Sequence, residues 1–267
     1  MSNTIAIAGM GWLGMPLYTR LKNLGFTVKG SVTTDAKKTD LKKKGFDVYK
    51  VLITENEVQG DVKDFLASAK ILFVLIPPGL RRGTGHNHAL RMARFLQEVE
   101  SSSVEKVVLI SSTGVYADHQ GKVTEKDIPQ PETESGRQLL EVEQIFFRSS
   151  LECTVVRFGG LFGGSRNPVR FLAGRKNLSN GDAPVNLIHR EDCLNILTAI
   201  LMKNAYGHII NAVIPQHPSK KEYYTAEADR LGLEHPDYSE NTDEVFKQID
   251  SVILDEVLGY EFQNHLL

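Results

Sequence analysis

Three glycines near the amino terminus have the spacing of a phosphate-binding turn. The stretch reads Gly9, Met10, Gly11, Trp12, Leu13, Gly14, which is the pattern G-x-G-x-x-G. Gly9 allows a tight turn, Gly11 lets the backbone approach a pyrophosphate, and Gly14 lets a helix pack against the preceding strand. Backbone amides at the start of that helix would then meet the phosphate charge. We therefore predict that this segment, Trp12 and Leu13 included, binds a dinucleotide and is not a plain glycine turn.

Hydroxyl side chains follow at the position that decides which dinucleotide is bound. Ser31, Thr33 and Thr34 lie where NAD-binding proteins carry an acidic residue for the ribose 2′-hydroxyl, and two lysines come shortly after. Hydroxyl and ammonium groups suit a 2′-phosphate better than a carboxylate does. The sequence therefore favours NADP, while Asp35 keeps NAD as the alternative.

Apolar runs that alternate with helical periods must position these segments. Strands are predicted at residues 4–8, 27–32, 47–51, 71–76, 107–111, 154–158 and 208–213, and helices at 11–24, 60–69, 87–101, 136–149, 191–202, 219–231 and 243–258. The run ILFVLI is apolar throughout and is followed by Pro77 and Pro78, as in a strand covered on both faces. This alternation predicts an α/β fold, a doubly wound parallel sheet of the Rossmann type. Ile76, Pro77 and Pro78 would lie at the sheet edge where ligands bind, and we predict that they contact the cofactor.

Glycines and prolines interrupt this pattern after residue 160. We predict a dinucleotide-binding Rossmann domain made of residues 1–160 and 188–215. Residues 161–187 and 216–267 would form a small substrate-binding lobe at the carboxyl-terminal end.

The bulk composition limits the partners and the compartment. The chain has 267 residues, 41% hydrophobic and 24% charged, with a formal net charge of -2 and two cysteines. This charge gives no field that would attract nucleic acid or an anionic membrane surface. There is no apolar run of about 18 residues and no signal-peptide pattern, and two isolated cysteines favour a reducing compartment. We predict a cytoplasmic protein that binds neither nucleic acid nor membrane, with no metal site, and with His86 and His88 as solvated loop residues.

Several motifs beyond the glycine turn resemble one enzyme family. SSTGVY at the end of the fifth alternating strand, Arg157 before GGLFG, the segment Ile188 to Asp192 before a helix, and LGY near the end follow the order found in extended short-chain dehydrogenase/reductases, the NAD-dependent epimerase and dehydratase group. More narrowly, GWLGMPL, SSTGVYAD, SGRQLLEVE, RNPVRFLAGR and VNLIH look like the bacterial YeeZ-type subgroup of atypical members. The resemblance spans nearly the whole chain, and it allows a homodimer by analogy.

The resemblance implies a catalytic site that this chain has altered. Active relatives pair a serine or threonine, here Ser112, with an acid/base tyrosine and a lysine one helical turn later. The tyrosine position falls on Ser135 and the lysine position on Leu139. A serine hydroxyl needs a separate base, and Leu139 supplies no charge that would lower a pKa. Leu139 instead joins Val142 and Phe146 as an apolar stripe.

The remaining catalytic candidates are polar groups near the same helix start. Ser112 would polarise a substrate oxygen, Ser135 would orient ribose or substrate unless it only caps the helix, and Arg137 would stabilise an oxyanion unless it is solvated. Ser111 is predicted to contact the cofactor. Tyr116 is expected to pack and not to act as the missing phenol.

Arginines on loops suggest that the substrate is an anion. Arg81 and Arg82 follow the fourth strand where the sheet opens toward ligand, and with Arg157 and Arg166 they would form an anion pocket. Thr113 and His189 complete the predicted substrate contacts, although the resemblance ties His189 structurally to Asp192.

Two functions remain open from the sequence. The first is an NAD(P)-dependent oxidoreductase or epimerase that acts on a nucleotide-sugar-like or small anionic substrate. The second is a redox-inactive NADP(H)-binding regulator or sensor, which the changes to Ser135 and Leu139 favour.

Overall fold

The elements below are those of a computed structural model, which describes residues 4–79, 87–240 and 245–266. The strands are β1 (Thr4–Ala8), β2 (Thr27–Val32), β3 (Val48–Ile53), β4 (Val58–Gly60), β5 (Ile71–Val74), β6 (Lys106–Ser112), β7 (Gly121–Val123), β8 (Glu152–Phe158), β9 (Gly160–Phe162), β10 (Leu187–His189), β11 (Ile209–Ala212) and β12 (Lys247–Ile249). The helices are α1 (Gly14–Asn23), α2 (Asp35–Lys43), α3 (Val62–Leu66), α4 (His88–Glu100), α5 (Glu134–Phe147), α6 (Arg190–Lys203), α7 (Lys220–Leu231) and α8 (Ile253–Leu258). Short 3-10 turns lie at Thr113–Val115, Asp118–Gln120 and Pro168–Phe171.

A large sheet carries the glycine turn at its centre. Its eight strands have the order β11-β8-β6-β5-β1-β2-β3-β4. β1 pairs in parallel with β2 on one side and with β5 on the other, while β4 pairs antiparallel with β3 at the edge. The chain builds outward from β1 in one direction and returns to build from β5 in the other. The point where the direction changes is where doubly wound folds bind their ligands, beyond the carboxyl ends of the strands.

The predicted α/β fold class is confirmed by this largely parallel sheet flanked by helices. β5 is covered on both faces, since Leu72, Phe73 and Val74 are fully buried. Burying these side chains stabilises the fold by roughly 25 cal/mol for each Å² of apolar surface removed from water. The structure also shortens the predicted first helix, which begins at Gly14 and not at Gly11.

Helix α2 is not among the predicted elements. Only Leu41 among its residues is buried, so it has almost no apolar period to detect. Its start is nevertheless marked, because Thr34 Oγ1 accepts a hydrogen bond from the Lys37 amide at 3.3 Å.

Contacts divide the chain into two compact units, which we describe separately. The first unit contains residues 1–111, 133–156 and 197–209, and the second contains 112–132, 157–196 and 210–267. The first holds the glycine turn and a core that runs from Ala6 to Val155. The predicted division into a cofactor domain and a substrate lobe concerns ligands, and it stays a prediction.

The second unit has two small sheets of its own, β9 with β10 and β7 with β12. The sequence predicts a helix over residues 243–258; residues 243 and 244 lie outside the described part, and the prediction is wrong for residues 245–252. Lys247 to Ile249 pair in parallel with Gly121 to Val123 as a strand, and the helix begins only at Ile253. The pattern of polar and apolar residues over 246–250 is so short that it fits both the two-residue period of a strand and the 3.6-residue period of a helix.

Candidate functional site

The glycine turn after β1 is held by close backbone packing. Gly9 has a left-handed φ of 109°, and a Cβ added there would lie 2.8 Å from the Leu75 carbonyl oxygen. A Cβ on Gly14 would lie 2.1 Å from the Gly9 carbonyl oxygen, whereas one on Gly11 would meet no atom within 4 Å. The turn therefore needs glycine at both ends for packing, and Gly11 leaves open space in front of the loop, as a pyrophosphate would require.

Ser31 ties the second strand to this turn. Its Oγ accepts a hydrogen bond from the Gly9 amide at 3.1 Å, and its carbonyl oxygen accepts one from the Met10 amide at 3.0 Å. Ser31 is only 5% exposed. Its hydroxyl is thus used inside the protein to fix the turn, which is a positioning role that the sequence had not assigned.

A cavity of about 200 Å³ lies beside the turn in the first unit. The predicted cofactor residues that line it are Gly9, Gly11, Ser31, Thr33, Ile76 and Pro77. Lys37 and Arg91 line it as well. Lys37 Nζ donates to the Met10 carbonyl oxygen at 2.7 Å, and Arg91 Nε donates to the Ile53 carbonyl oxygen at 2.8 Å. Arg91 was missed, because nothing near it in sequence relates α4 to a turn some eighty residues earlier.

The acidic residues near the end of β2 are engaged by lysines. Asp35 Oδ2 lies 2.5 Å from Lys50 Nζ, and Asp61 Oδ2 lies 2.5 Å from Lys38 Nζ. The Lys38 hydrogen bond lowers the pKa of the Asp61 carboxyl, and the Lys50 amide adds to this effect. Neither aspartate is among the residues that line the cavity. The charged side chains that the described part of this lining contains, Lys37 and Arg91, are both cationic.

The serines at the end of β6 already have partners within the protein. Ser111 Oγ donates to the buried Glu143 carboxylate at 2.5 Å. Ser112 Oγ accepts a hydrogen bond from the Gly114 amide at 3.1 Å and so caps the turn at Thr113, a buried residue. The Ser112 hydroxyl proton is not used by that bond. The cofactor contact of Ser111 and the substrate contact of Thr113 stay predictions.

The start of α5 shows what stands at the two substituted catalytic positions. The helix is capped by Thr133, whose Oγ1 accepts from the Gly136 amide at 3.0 Å, so Ser135 is not the cap residue. Ser135 is half-buried in the first turn. Arg137 is exposed and pairs with Glu134 at 3.1 Å. Leu139 is 7% exposed and packs in the core with Val142 and Phe146, as the apolar stripe predicts.

Arg157 has a structural role in the second unit, which replaces its predicted place in an anion pocket. It is 2% exposed, its guanidinium carbon lies 5.1 Å from the Tyr116 ring centroid, and Nη1 donates to the Tyr116 hydroxyl at 2.6 Å. The hydroxyl is also 3.0 Å from the Thr124 carbonyl oxygen. Burial raises the pKa of Tyr116 despite the nearby arginine. Tyr116 is therefore a packing residue, as expected, and a poor proton donor.

Arg166 and His189 lie together at a second cavity, of about 560 Å³, within the second unit. His189 Nδ1 accepts a hydrogen bond from the Glu191 amide at 3.3 Å, and its ring packs edge-on against Phe162. The family analogy ties His189 to Asp192. Here the fully buried Asp192 carboxylate accepts from Tyr260, Gln263 and Asn264 instead, and it anchors the carboxyl-terminal segment.

Some predicted site residues are placed differently from the prediction, and others lie outside the described residues. Arg81, Arg82 and His86 lie outside the described residues. His88 is not a solvated loop residue, because it begins α4 and is 2% exposed. Within residues 4–79, 87–240 and 245–266 no group of three or more metal-ligating side chains comes together. Over the same ranges no helix is both long enough and apolar enough to cross a membrane.

Comparisons with known proteins agree with this geometry. The sequence profile described as NAD(P)H-binding matches residues 9–204, which includes the glycine turn, the cavity beside it and α5. The chain belongs to the NAD(P)H-binding family. Protein YeeZ of Escherichia coli (strain K12) is 36% identical to this member over 267 residues, covering 97% of this chain and 95% of its own. The predicted resemblance to YeeZ-type, atypical extended short-chain dehydrogenase/reductases is confirmed.

Solved structures share the fold of this family member at low sequence identity. MoeE5 in complex with UDP-glucose and NAD has a TM-score of 0.77 at 19% identity, covering 98% of this chain and 94% of its own. UDP-glucuronic acid 4-epimerase from Bacillus cereus in complex with NAD has a TM-score of 0.79 at 18% identity, covering 98% and 92%. The UDP-glucose 4-epimerase of Thermotoga maritima reaches 0.79 at 16% identity, covering 98% and 94%. These similarities show that the chain shares the fold of these proteins.

Proposed function

We propose that the protein is an NADP(H)-dependent oxidoreductase or epimerase-type enzyme acting on a nucleotide-sugar-like or small anionic substrate. The observation that carries the proposal is the cavity beside the glycine turn, where the charged residues among the described lining are Lys37 and Arg91. A cationic lining favours a ligand with more phosphate groups. The cytoplasmic location and the homodimer stay predictions, and this function requires neither.

The preference for NADP rests on the engagement of Asp35. A carboxylate that would repel a 2′-phosphate is paired with Lys50 at 2.5 Å. Lys37, two residues later in the chain, is held against the turn through the Met10 carbonyl oxygen. An ammonium group fixed by one acceptor keeps further protons for a phosphate, since lysine has three donors. NAD remains the alternative that a direct affinity comparison would reveal.

The residues present fit a bound dinucleotide. Gly11 leaves space in front of the turn, and the backbone amides at the start of α1 would hold the phosphates. Thr33, Ile76 and Pro77 would border the rest of the cofactor. The bound cofactor would supply the hydride acceptor or donor.

This chain would handle the substrate oxygen through Ser112. Its oxygen already accepts from the Gly114 amide, which orients the hydroxyl so that its proton can be donated to a substrate carbonyl or hydroxyl. Tyr116 is buried with a raised pKa and does not suit proton transfer. The proton would therefore pass through water, Ser135 or a group of the substrate, with Arg137 stabilising charge that develops on oxygen.

The substrate class is suggested by related folds and by the second cavity. MoeE5 is described with UDP-glucose and another similar structure is a UDP-glucose 4-epimerase. Arg166, at the second cavity, offers a cation to an anionic group. These two facts support a nucleotide-sugar-like or small anionic substrate.

Turnover and binding experiments test the proposal together. Purified protein is assayed with NADP(H) and NAD(H) against nucleotide sugars and small keto and hydroxy acids. We expect cofactor turnover with at least one substrate, a loss of at least about 100-fold in Ser112→Ala, and no loss in Ser101→Ala, a control serine on the exposed end of α4. If NADPH binds in calorimetry, but the whole panel shows no turnover and Ser112→Ala and Ser135→Ala leave the biological output unchanged, the protein is instead a regulator.

A further inference from the structure

The second unit contains a built cavity that lies entirely within it, bounded by three segments and by His189. The loop 162–167 forms one side, one face of α7 forms another, and residues 264–266 form the third. Its volume of about 560 Å³ falls in the range of small-molecule sites.

Two walls of the cavity are fixed by close packing and hydrogen bonds. Gly163 and Gly164 have left-handed φ values of 97° and 57°, and added Cβ atoms would lie 2.2 Å from His189 Nε2 and 2.4 Å from Arg190 Nη1. Only glycine allows the loop to lie this close to the two side chains. At the segment 264–266, Asn264 Nδ2 donates to the buried Asp192 carboxylate at 2.7 Å, and the neighbouring Gln263 amide donates to it at 2.9 Å. The cavity is therefore formed before any ligand arrives.

Among the described residues of the lining, positive side chains outnumber negative ones. The arginines are Arg166 and Arg230, and the carboxylate is that of Glu227. Arg230 donates to Glu227 through Nε and Nη2, both at 2.8 Å, and these bonds lower the pKa of the Glu227 carboxyl. This pair holds the Arg230 guanidinium in place and leaves its Nη1 edge out of the two bonds. Because His189 Nδ1 accepts the Glu191 amide, its proton is on Nε2, and the ring offers a donor as well.

Apolar side chains form the rest of the floor. Tyr223 and Leu266 belong to a small buried cluster with Val185 and Leu187, and Phe162 packs against that cluster. A ligand that fits has an oxyanion at one end and an apolar or ring-shaped part at the other.

We propose that this cavity is an anion-binding site in which Arg166 and Arg230 hold a phosphate or carboxylate group of a small molecule, with Glu227 orienting Arg230. The inference deepens the proposed function, since the anion would belong to the substrate. It assigns roles to Arg230, Glu227 and Asn264, which the sequence did not indicate.

Binding of simple anions to the full chain, without cofactor, tests the site. Inorganic phosphate, pyrophosphate, UDP and succinate are titrated by calorimetry and by thermal shift. We expect at least one to bind, with an affinity that falls at higher salt. Phosphate compounds and succinate distinguish the two kinds of oxyanion, and UDP binding more tightly than pyrophosphate would show that the apolar floor takes part.

Variants separate this cavity from general surface charge. Arg166→Gln and Arg230→Gln should each weaken binding by about 10-fold or more, since each removes charged hydrogen bonds. Glu227→Gln should strengthen binding about 3-fold, because its amide oxygen can still accept a hydrogen bond from Arg230 and orient it, while the negative charge of the side chain is removed. Lys221→Gln makes the same charge change on α7 outside this cavity and should leave affinity unchanged. Arg230 has a 62% exposed side chain, so its variant keeps the test valid if Arg166→Gln does not fold.

The inference is overturned if no anion binds at millimolar concentration, or if Lys221→Gln weakens binding as much as Arg230→Gln does. A chain that binds the anion but neither NADPH nor NADH keeps this inference and defeats the proposed function. The opposite outcome is cofactor turnover by the wild-type chain together with wild-type anion affinity in both Arg166→Gln and Arg230→Gln. That outcome keeps the proposed function and defeats this inference.

Discussion

Replacing Lys37 by glutamine is the most direct way to test which dinucleotide the glycine turn accepts. Lys37 Nζ is held 2.7 Å from the Met10 carbonyl oxygen and lines the cavity beside the turn. A hydrogen bond from a charged donor to a phosphate contributes about 1.5–3 kcal/mol. Lys37 is exposed to solvent, so we take the lower end, about 1.5 kcal/mol, which corresponds to roughly a 10-fold change in dissociation constant.

We therefore expect Lys37→Gln to weaken NADPH binding about 10-fold and to change NADH binding by less than about 2-fold. Dissociation constants for both cofactors are measured by calorimetry at one fixed ionic strength. Lys43→Gln, on the exposed side of the same helix, is the matched control and should change neither value.

The result for NADH separates the two possible roles of Lys37, which are to hold the glycine turn through Met10 and to bind a 2′-phosphate. If the variant weakens NADH and NADPH equally, Lys37 acts by holding Met10 and the turn, and the reasoning about a 2′-phosphate is wrong. An unchanged NADPH affinity would also refute it. A larger loss at low salt than at high salt would agree with a charge interaction.

Three further predictions concern the turn, the substituted lysine position and a buried histidine. Gly11→Ala should leave the melting temperature nearly unchanged, since its Cβ meets nothing within 4 Å, yet it should weaken dinucleotide binding by about 10-fold or more. Gly14→Ala should weaken binding and also destabilise the fold by about 1–3 kcal/mol, because its Cβ would lie 2.1 Å from the Gly9 carbonyl oxygen. Calorimetry and thermal unfolding would show both, and equal behaviour of the two variants would count against the packing role. Leu139→Ala should cost about 2–5 kcal/mol in denaturant unfolding with little change in cofactor affinity, and a loss confined to affinity would place Leu139 at the ligand. Burial lowers the pKa of His88 from 6.5 to about 4. The neutral ring is therefore fully accommodated above pH 6.5, and the free energy of unfolding should fall by roughly 3 kcal/mol as the pH drops from 6.5 toward 4. His88→Leu should lack this pH dependence, and the same change of unfolding free energy with pH in both proteins would contradict the prediction.

The sequence predicted the parts of this protein that depend on local pattern. The glycine spacing marks a turn whose backbone leaves no room for a Cβ at Gly14, and the run ILFV forms a strand buried on both faces. The apolar stripe of Leu139, Val142 and Phe146 is buried as its helical spacing requires. These features are set by residues within a turn or two of each other, so they can be read without knowing the fold.

Weak local patterns explain the errors in the predicted elements. α2 has one buried residue and so gives no period, and residues 247–249 are too few to tell a strand from the start of a helix. His88 was taken for a loop residue because nothing in the glycine-rich segment before it shows that α4 begins there and turns the ring inward.

The tertiary structure alone decided which charges are available to a ligand. Asp35 is paired with Lys50 fifteen residues away, and Arg157 is held by Tyr116 forty-one residues away. Arg91 lines the same cavity as the glycine turn, and Arg230 lines the same cavity as Arg166, although each pair is far apart in the sequence. The sequence specifies the chemical identity of a charged group but not its environment. Whether it binds a ligand, holds the backbone or cancels another charge depends on what long-range packing puts next to it, and a sequence pattern does not contain that information.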